Sequence, residues 1–137
     1  MNNHWGTNYR AYQEGPTVFR FVLRPHRRGT NNAEATRFAL GCSQPLLITD
    51  AGRAFKSPVS VSSTDVIVEA LKPSNDGKAT IIRLFGASGK DSSVKLNWPK
   101  GGPNSVMLSD TSEQAGAKVT GDISVPGFGI VTLRAEY

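Results

Sequence analysis

Cysteine, histidine and long apolar runs are scarce in this chain of 137 residues. Its single cysteine, Cys42, excludes an internal disulfide and any metal site built from several cysteines, and we expect it to be a small half-buried side chain. No apolar run approaches the roughly 20 residues that a transmembrane helix needs. No basic segment followed by an apolar one is visible at the N-terminus, but a fragment can lose a signal peptide, so the compartment stays open.

Catalytic and metal-binding motifs are equally scarce. The two histidines, His4 and His26, have neither HxH nor HExxH spacing, and His26 lies in a basic segment that repels cations. No GxSxG nucleophile motif is present. Most acids stand in turn contexts, where aspartate usually bonds nearby backbone amides: Asp50, Asp65, Asp76, Asp91 and Asp110. We therefore predict no catalytic residue, no metal ligand and no cofactor within this chain.

The positive charge is unevenly distributed. The formal net charge is +5, and residues 1–53 carry seven arginines, no lysine and only three acids. Arginine suits phosphate binding but also ion pairs with a partner surface. We interpret Arg24, Arg27 and Arg28 as a solvated loop or interdomain ion pairs. Because the chain lacks a basic recognition helix and an RNP-type aromatic sheet pattern, we predict neither a nucleic-acid nor a membrane partner.

The first 58 residues are predicted to hold a leading strand, a short helix and a linker. Residues 18–24 alternate, with Phe19, Phe21 and Leu23 on one face, which is typical of a half-buried strand. A short helix is predicted over residues 32–41, capped by Asn31 or Asn32 and closed by Gly41. Residues 44–58 follow as an extended linker.

From residue 59 onward the pattern predicts only strands. Turn signals rich in glycine and proline separate them at spacings of about ten to fourteen residues, which favours an antiparallel sandwich. Trp98 alternates with apolar neighbours and is predicted to be in the core. The predicted fold class is therefore all-β, an antiparallel β-sandwich with one short helix near residues 32–41. The candidate strands are 59–62, 66–71, 80–85, 94–98, 105–108, 118–125 and 130–135.

The opening of the chain is the one constellation suited to a ligand. It combines flat aromatic rings with amide and guanidinium groups, which suit neutral polar ligands such as sugars. Two interpretations stay open: the block contacts a substrate directly, or it is a loop packed on another part of a larger protein. The candidate substrate-binding residues are Trp5, Asn8, Tyr9, Arg10 and Gln13.

Two blocks, taken together, resemble one family. The string NHWGTNYRAYQEG at residues 3–15, followed by FRF at 19–21, is similar to the segment that leads into the last β region of glycoside hydrolase family 38, the α-mannosidase family. The strings VEALKPSNDG at 68–77 and IRLF at 82–85 resemble a strand, turn and strand of the same family's C-terminal sandwich. The closing IVTLR at 130–134 resembles its final strand.

The resemblance implies that residues 1–137 form one C-terminal β-sandwich domain of a larger glycoside hydrolase, with the main sandwich over 59–137. The implied activity of the whole enzyme is retaining hydrolysis of α-mannosides by two carboxylates. The zinc and the nucleophile of the family lie upstream of this region, so none of those residues is carried over to this chain. The expected role here is structural support of an absent catalytic domain, with the opening loop reaching toward the substrate cleft.

Two further expectations concern partners. A leading strand separated from its sheet leaves an unpaired edge, so the chain is predicted to contact the rest of a glycoside hydrolase or to form a homodimer through residues 1–50. The alternative function is a stand-alone carbohydrate-binding module for a mannose-containing glycan, with Trp5, Tyr9 and Tyr12 as its platform.

Overall fold

The computed structural model describes residues 15–27, 29, 31–44, 48, 52, 57–99 and 101–137. Within these ranges one helix precedes a set of short strands, and no helix is long and apolar enough to cross a membrane. The elements, in chain order, are α1 (Asn32–Ser43), β1 (Ser60–Val61), β2 (Val66–Pro73), β3 (Ala79–Gly86), β4 (Ser92–Val94), β5 (Leu96–Asn97), β6 (Ser105–Ser109), β7 (Ile123–Val125) and β8 (Ile130–Glu136).

The main layer is a four-stranded antiparallel sheet with the order β2-β3-β8-β6. β3 is an inner strand, and both of its faces are covered, with Ile81, Ile82 and Leu84 fully buried. This agrees with the apolar character of both faces of that sequence, which is typical of a central strand. Ile82 lies opposite Leu133 of β8, so the two side chains share the core face of the sheet.

The second layer consists of two short antiparallel pairs, β1 with β5 and β4 with β7. Side chains of the β4–β7 pair meet the core face of the main sheet in one cluster, which confirms the all-β sandwich with a single short helix. Burying each aliphatic side chain of this kind stabilises a fold by about 1.5–3 kcal/mol. The buried cluster contains Val66, Ile82, Leu84, Val94, Ile123, Val125, Leu133 and Ala135.

Glycine allows the end of β3 to pack directly against the turn between β7 and β8. A Cβ at Gly86 would lie 2.1 Å from the carbonyl oxygen of Pro126. The Gly86 amide donates to the Gly129 carbonyl at 3.0 Å, and the Phe128 amide donates to the Gly86 carbonyl at 2.7 Å. This contact fixes the turn against the sheet, and only a residue without a side chain fits at Gly86.

Helix α1 begins as predicted but ends later. The Asn31 side chain accepts a hydrogen bond from the Ala33 amide at 2.8 Å, which confirms Asn31 as the N-cap. The helix continues through Gly41 to Ser43, and the Gln44 amide donates to the Leu40 carbonyl at 2.9 Å. The prediction that Gly41 closes the helix is wrong, because Gly41 does not take the left-handed conformation that a glycine stop requires.

Side chains attach α1 to one margin of the sandwich. Asn31 Nδ2 donates to Asp65 at 3.3 Å, and Asn32 Nδ2 donates to the Ser88 carbonyl at 3.3 Å. Arg37 Nη2 donates to the carbonyl of Thr64 and, at 3.3 Å, to the carbonyl of Val66. The helix therefore bonds to the chain at the beginning of β2, which is an edge strand of the main sheet.

The predicted leading strand over residues 18–24 is not a strand in the structure. The segment is irregular and makes no backbone hydrogen bond with any other part of the described chain. Phe19, Phe21 and Leu23, predicted to face a core, are 56%, 84% and 89% exposed. The sequence pattern is that of a strand, but no described edge lies beside it, and a strand requires a neighbour to satisfy its backbone.

Three other predictions need correction. The candidate strands 94–98 and 118–125 are each interrupted, because the chain changes its pairing partner within them. Residue 94 ends β4, which pairs with β7, whereas residues 96–97 form β5, which pairs with β1. Lys118 makes a bridge with Met107 of β6, but only Ile123–Val125 form β7.

Cys42 is exposed, not half-buried. Trp98 is partly buried and packs against the core.

Candidate functional site

The predicted substrate-binding residues Trp5, Asn8, Tyr9, Arg10 and Gln13 lie outside the described residues. Their role in sugar contact stays a prediction. Two features of the described part of the chain bear on contact with another protein and on stability. One is the exposed apolar segment before the helix, and the other is a charged cluster at one corner of the main sheet.

The exposed segment, residues 18–23, is called here the apolar run. Five of its six side chains are apolar and more than half exposed, and the sixth is Arg20: Val18, Phe19, Phe21, Val22 and Leu23. Monomeric soluble proteins rarely leave a contiguous set of large apolar side chains in water. The apolar run is therefore the part of the described surface best suited to contact with another protein surface.

The residue that follows the apolar run, Arg24, contacts helix α1. The guanidinium carbon of Arg24 lies 5.5 Å from the centre of the Phe38 ring, within the range of a cation–π interaction. A cavity of about 420 Å³ lies between residues 24–27 and 29 on one side and the helix side chains Glu34, Ala35 and Phe38 on the other. Arg24 thus takes part in a contact within the chain, whereas the predicted interdomain ion pair for this residue stays untested.

The charged cluster is centred on Arg134 of β8, which is only 7% exposed. Its guanidinium donates three hydrogen bonds: Nη2 to Asp76 Oδ2 at 2.7 Å, Nε to Glu136 Oε1 at 2.9 Å, and Nη1 to the Glu113 carbonyl at 3.0 Å. Asp76 also accepts from the Ser74 hydroxyl and from the Lys78 amide at 3.0 Å. The arginine therefore joins the β2–β3 turn to the end of β8.

Glu113 extends the cluster to the edge strand β2. Its carboxylate pairs with Lys72 Nζ and accepts a hydrogen bond from the Asn75 amide at 2.7 Å. Glu113 adopts a positive φ of 64°, a conformation uncommon for residues other than glycine. The loop after β6 is thus held over the outer face of the sheet by a buried acid with two separate partners.

The hydrogen bonds of the charged cluster shift the pKa values of Asp76, Glu113 and Arg134 so that the charged form of each is favoured. Hydrogen bonds from Arg134, Ser74 and the Lys78 amide hold the pKa of Asp76 well below its ordinary value. Lys72 and the Asn75 amide lower the pKa of Glu113, and Asp76 and Glu136 raise the pKa of Arg134. No buried side-chain nitrogen or oxygen in the described part lacks a partner. The arrangement therefore fits a structural clamp, because its carboxylates are stabilised in the charged form and occupied.

Zinc does not fit the residues that the structure describes. Groups of three or more potential metal ligands do not occur among them. The acids that do converge, Asp76 and Glu136, are neutralised by Arg134, and His26 Nδ1 lies 3.0 Å from the Arg27 carbonyl.

Aspartates 76 and 110 do bond backbone amides within their turns, as predicted. Asp91 bonds a remote amide, that of Gly127, at 2.9 Å.

Comparison with known proteins identifies the family. The model of the glycosyl hydrolases family 38 C-terminal beta sandwich domain matches residues 65–133, half of the chain. The chain belongs to this family. The match covers β2, β3 and β6 of the main sheet and the first four residues of β8 in this family 38 domain, so it includes Asp76 but ends one residue before Arg134.

Two further comparisons do not add to this family assignment. The apo exo-carrageenase GH42 from Bacteroides ovatus is similar over 58% of this chain, with 15% sequence identity and a TM-score of 0.41. The family 38 domain spans 11% of the length of that chain. The search of curated proteins found no match.

The charged cluster was not predicted from the sequence. Asp76 and Asp110 were assigned to turns, which is correct, but the partner of Asp76 stands 58 residues away in β8. One signal was present: a strand that alternates Leu133 and Ala135 with Arg134 places an arginine inside a sheet. Such an arginine requires acidic partners, since a buried charge is costly unless it is paired.

Proposed function

We propose that this chain is an accessory β domain of an α-mannosidase-like glycoside hydrolase and that it supports a catalytic region supplied elsewhere. The observation that carries the proposal is the contrast between a closed core over residues 59–137 and the exposed apolar run before it. A domain with its own core does not need the apolar run for folding. The apolar run is then available as the contact to the rest of the enzyme.

Strand pairing is the mode of contact that we propose for the apolar run. Its apolar side chains follow strand alternation, and its backbone has no partner in the described chain. Addition of an extended segment to an open sheet edge provides backbone hydrogen bonds, while alternate side chains enter apolar pockets. In a preparation of this chain alone, the same property favours self-association, and the expected product is a homodimer.

The catalytic chemistry is assigned to the rest of the enzyme. Retaining hydrolysis of an α-mannoside requires two carboxylates about 5–5.5 Å apart, one of them free to attack. Asp76, Glu113 and Glu136 are engaged by arginine or lysine and have no such freedom. The opening residues Trp5 to Gln13 are proposed to contribute a loop at the substrate cleft.

The absence of catalysis is tested with the full 137-residue chain and a chromogenic aryl α-mannoside. We expect no hydrolysis above the buffer blank, with or without added zinc. Turnover that is abolished by a chelator would contradict the proposal, because the reacting groups would then lie in this chain.

The docking function is tested by co-expression of the full chain with the catalytic region of a family 38 glycoside hydrolase. We expect the two to co-purify, and Phe21→Asp to reduce recovery of the complex by placing a charge in the contact. Ile48→Asp is the matched control, since Ile48 is 97% exposed and lies outside the apolar run. Equal loss for both variants, or no complex with the unmodified chain, would count against docking through the apolar run.

The alternative function, a stand-alone carbohydrate-binding module, has a separate test. Calorimetric titration with mannose oligosaccharides would show binding that Trp5→Ala abolishes if the opening block is a sugar platform. A chain that remains strictly monomeric at high concentration in light scattering, and that binds oligosaccharide through Trp5, would favour the module over the accessory domain.

A further inference from the structure

A second feature of the sandwich, away from the apolar run and the charged cluster, has the composition of a small-ligand site. A cleft of about 460 Å³ opens between β5, β6 and the segment that leads into β7. Its apolar wall is formed by Leu96, Trp98, Val106 and Val119. The volume lies within the range of about 300–1,000 Å³ that is typical of ligand pockets.

The apolar wall is held in place by backbone pairing and close packing. Leu96 pairs with Val61, and the Val119 amide donates to the Val106 carbonyl at 2.8 Å. Gly102 lies against the indole of Trp98, so that a Cβ at residue 102 would be 3.3 Å from Cγ and Cδ1 of the ring. The cleft is therefore formed before any ligand arrives, which lowers the cost of binding.

Three polar side chains line the same cleft: Lys95, Thr120 and Asp122. Lys95 Nζ and Asp122 Oδ1 are 3.7 Å apart, beyond hydrogen-bond distance, and both side chains are at least half exposed. Within the described chain, neither the Thr120 hydroxyl nor the Asp122 carboxylate makes a hydrogen bond. Together they offer three ammonium hydrogens, a hydroxyl and a carboxylate to a ligand.

The charge of the cleft favours a neutral ligand. One cation and one anion cancel, so the cleft gives no net attraction to a phosphate or a carboxylate, while its hydrogen-bonding groups suit several hydroxyls. A flat aromatic ring beside such groups matches a pyranose, whose C–H face is apolar and whose rim is polar. We propose that the Trp98 cleft binds one sugar ring, with the indole against its apolar face and Lys95, Thr120 and Asp122 bonding its hydroxyls.

The test uses the full chain carrying Trp5→Phe, so that Trp98 is the only indole. Methyl α-mannoside, methyl α-glucoside and an α-linked mannobiose are titrated separately, with glycerol as a polyol control. We expect a saturable change in Trp98 fluorescence and in the NMR signal of its indole N–H with at least one glycoside. Absence of a saturable change with all three sugars overturns the proposal, and so does an equal response to glycerol.

Exposed residues on the cleft margin provide variants that do not threaten the core. Thr120→Val and Asp122→Asn should together weaken binding about tenfold or more, which corresponds to about 1.4 kcal/mol. The matched controls Thr111→Val and Glu69→Gln, both exposed and neither of them in the cleft lining, should leave affinity unchanged. Unchanged affinity in the cleft double variant, or equal loss in the controls, overturns the proposal.

Trp98→Phe tests the aromatic wall directly, with calorimetry as the readout and circular dichroism as the check on folding. Binding lost in Trp5→Ala but retained in Trp98→Phe would place the site in the opening block and overturn the proposal. The cleft shares no residue with the apolar run, so Phe21→Asp should leave sugar affinity unchanged. Failure of docking and failure of sugar binding are therefore separate results.

Discussion

Strand β3 and the apolar run have similar apolar sequences but differ in burial. In the main sheet, β3 buries Ile81, Ile82 and Leu84 completely, whereas the apolar run leaves Phe21 and Leu23 almost fully in water. The difference lies in the neighbours: β3 is bonded on both sides, and the apolar run has no strand beside it in the described chain. An apolar, strand-like sequence pattern thus predicts that a segment will be buried in a sheet, but burial also requires another strand beside it.

The largest expected effect contrasts the two regions directly. Leu133→Ala empties a fully buried position and should lower the free energy of unfolding by about 2–5 kcal/mol. Phe21→Ala should change it by less than about 0.5 kcal/mol in the chain alone, because the side chain is already exposed. Denaturant unfolding followed by circular dichroism measures both. Comparable losses would mean that the apolar run belongs to the folded core after all.

A smaller effect is expected where two backbones touch. Gly86→Ala places a methyl group 2.1 Å from the Pro126 carbonyl and should destabilise the sandwich by about 1–3 kcal/mol. Thermal unfolding of the variant beside the unmodified chain measures this shift. A stability equal to that of the parent would show that the turn before β8 can move aside.

The charged cluster should make the sandwich sensitive to acid. Because the folded state lowers the pKa of Asp76, the ionised carboxylate stabilises the fold at pH values above its unfolded pKa of about 3.9. That contribution is lost as the pH falls below this value through the lower folded pKa. Glu113 acts in the same direction, since its pKa is also lowered.

Asp76→Asn should therefore reduce stability at pH 7 and make the loss between pH 7 and pH 3 smaller than in the parent. Denaturant midpoints at the two pH values measure this. Glu69→Gln, an exposed carboxylate on β2, is the control and should retain the parental pH dependence. An Asp76→Asn curve parallel to that of the parent would show that the pair with Arg134 does not contribute to stability.

The smallest expected effect lies in the helix and has the opposite sign. Gly41→Ala adds a methyl group on α1 where, apart from the two neighbouring residues and the adjacent helix backbone, no atom of the described chain lies within 4 Å of the added carbon. Alanine is favoured over glycine in a helix interior by about 0.5–1 kcal/mol, so the helix should be stabilised. Helical ellipticity at elevated temperature is the measurement, and a decrease would indicate that Gly41 ends the helix in solution.

Local patterns were sufficient for most of the sandwich. Alternation together with turn residues located β2, β3, β6 and β8 to within two residues, because strand faces and turns are encoded by neighbouring positions. The helix start was equally local, since Asn31 bonds an amide only two residues away. The helix end was not, because a glycine permits a stop without imposing one.

Long-range pairing is what the sequence could not supply. The chain changes partner at Lys95 and again between Lys118 and Ile123, and nothing in the alternation marks those points. The Trp98 cleft depends on the same changes, since they bring Lys95 and Asp122 together. Trp98 was correctly placed against the core, but its second role as a cleft wall requires the positions of β6 and Val119.

Arg37 also covers one end of an edge of the main sheet. Its guanidinium donates hydrogen bonds to the carbonyls of Thr64 and Val66, at the point where the backbone of another chain could otherwise begin to pair with β2. Another chain that pairs there must first displace the Arg37 side chain, which is carried by helix α1. Addition of another strand at the beginning of β2 is thereby discouraged, because a covered sheet edge recruits other chains less readily.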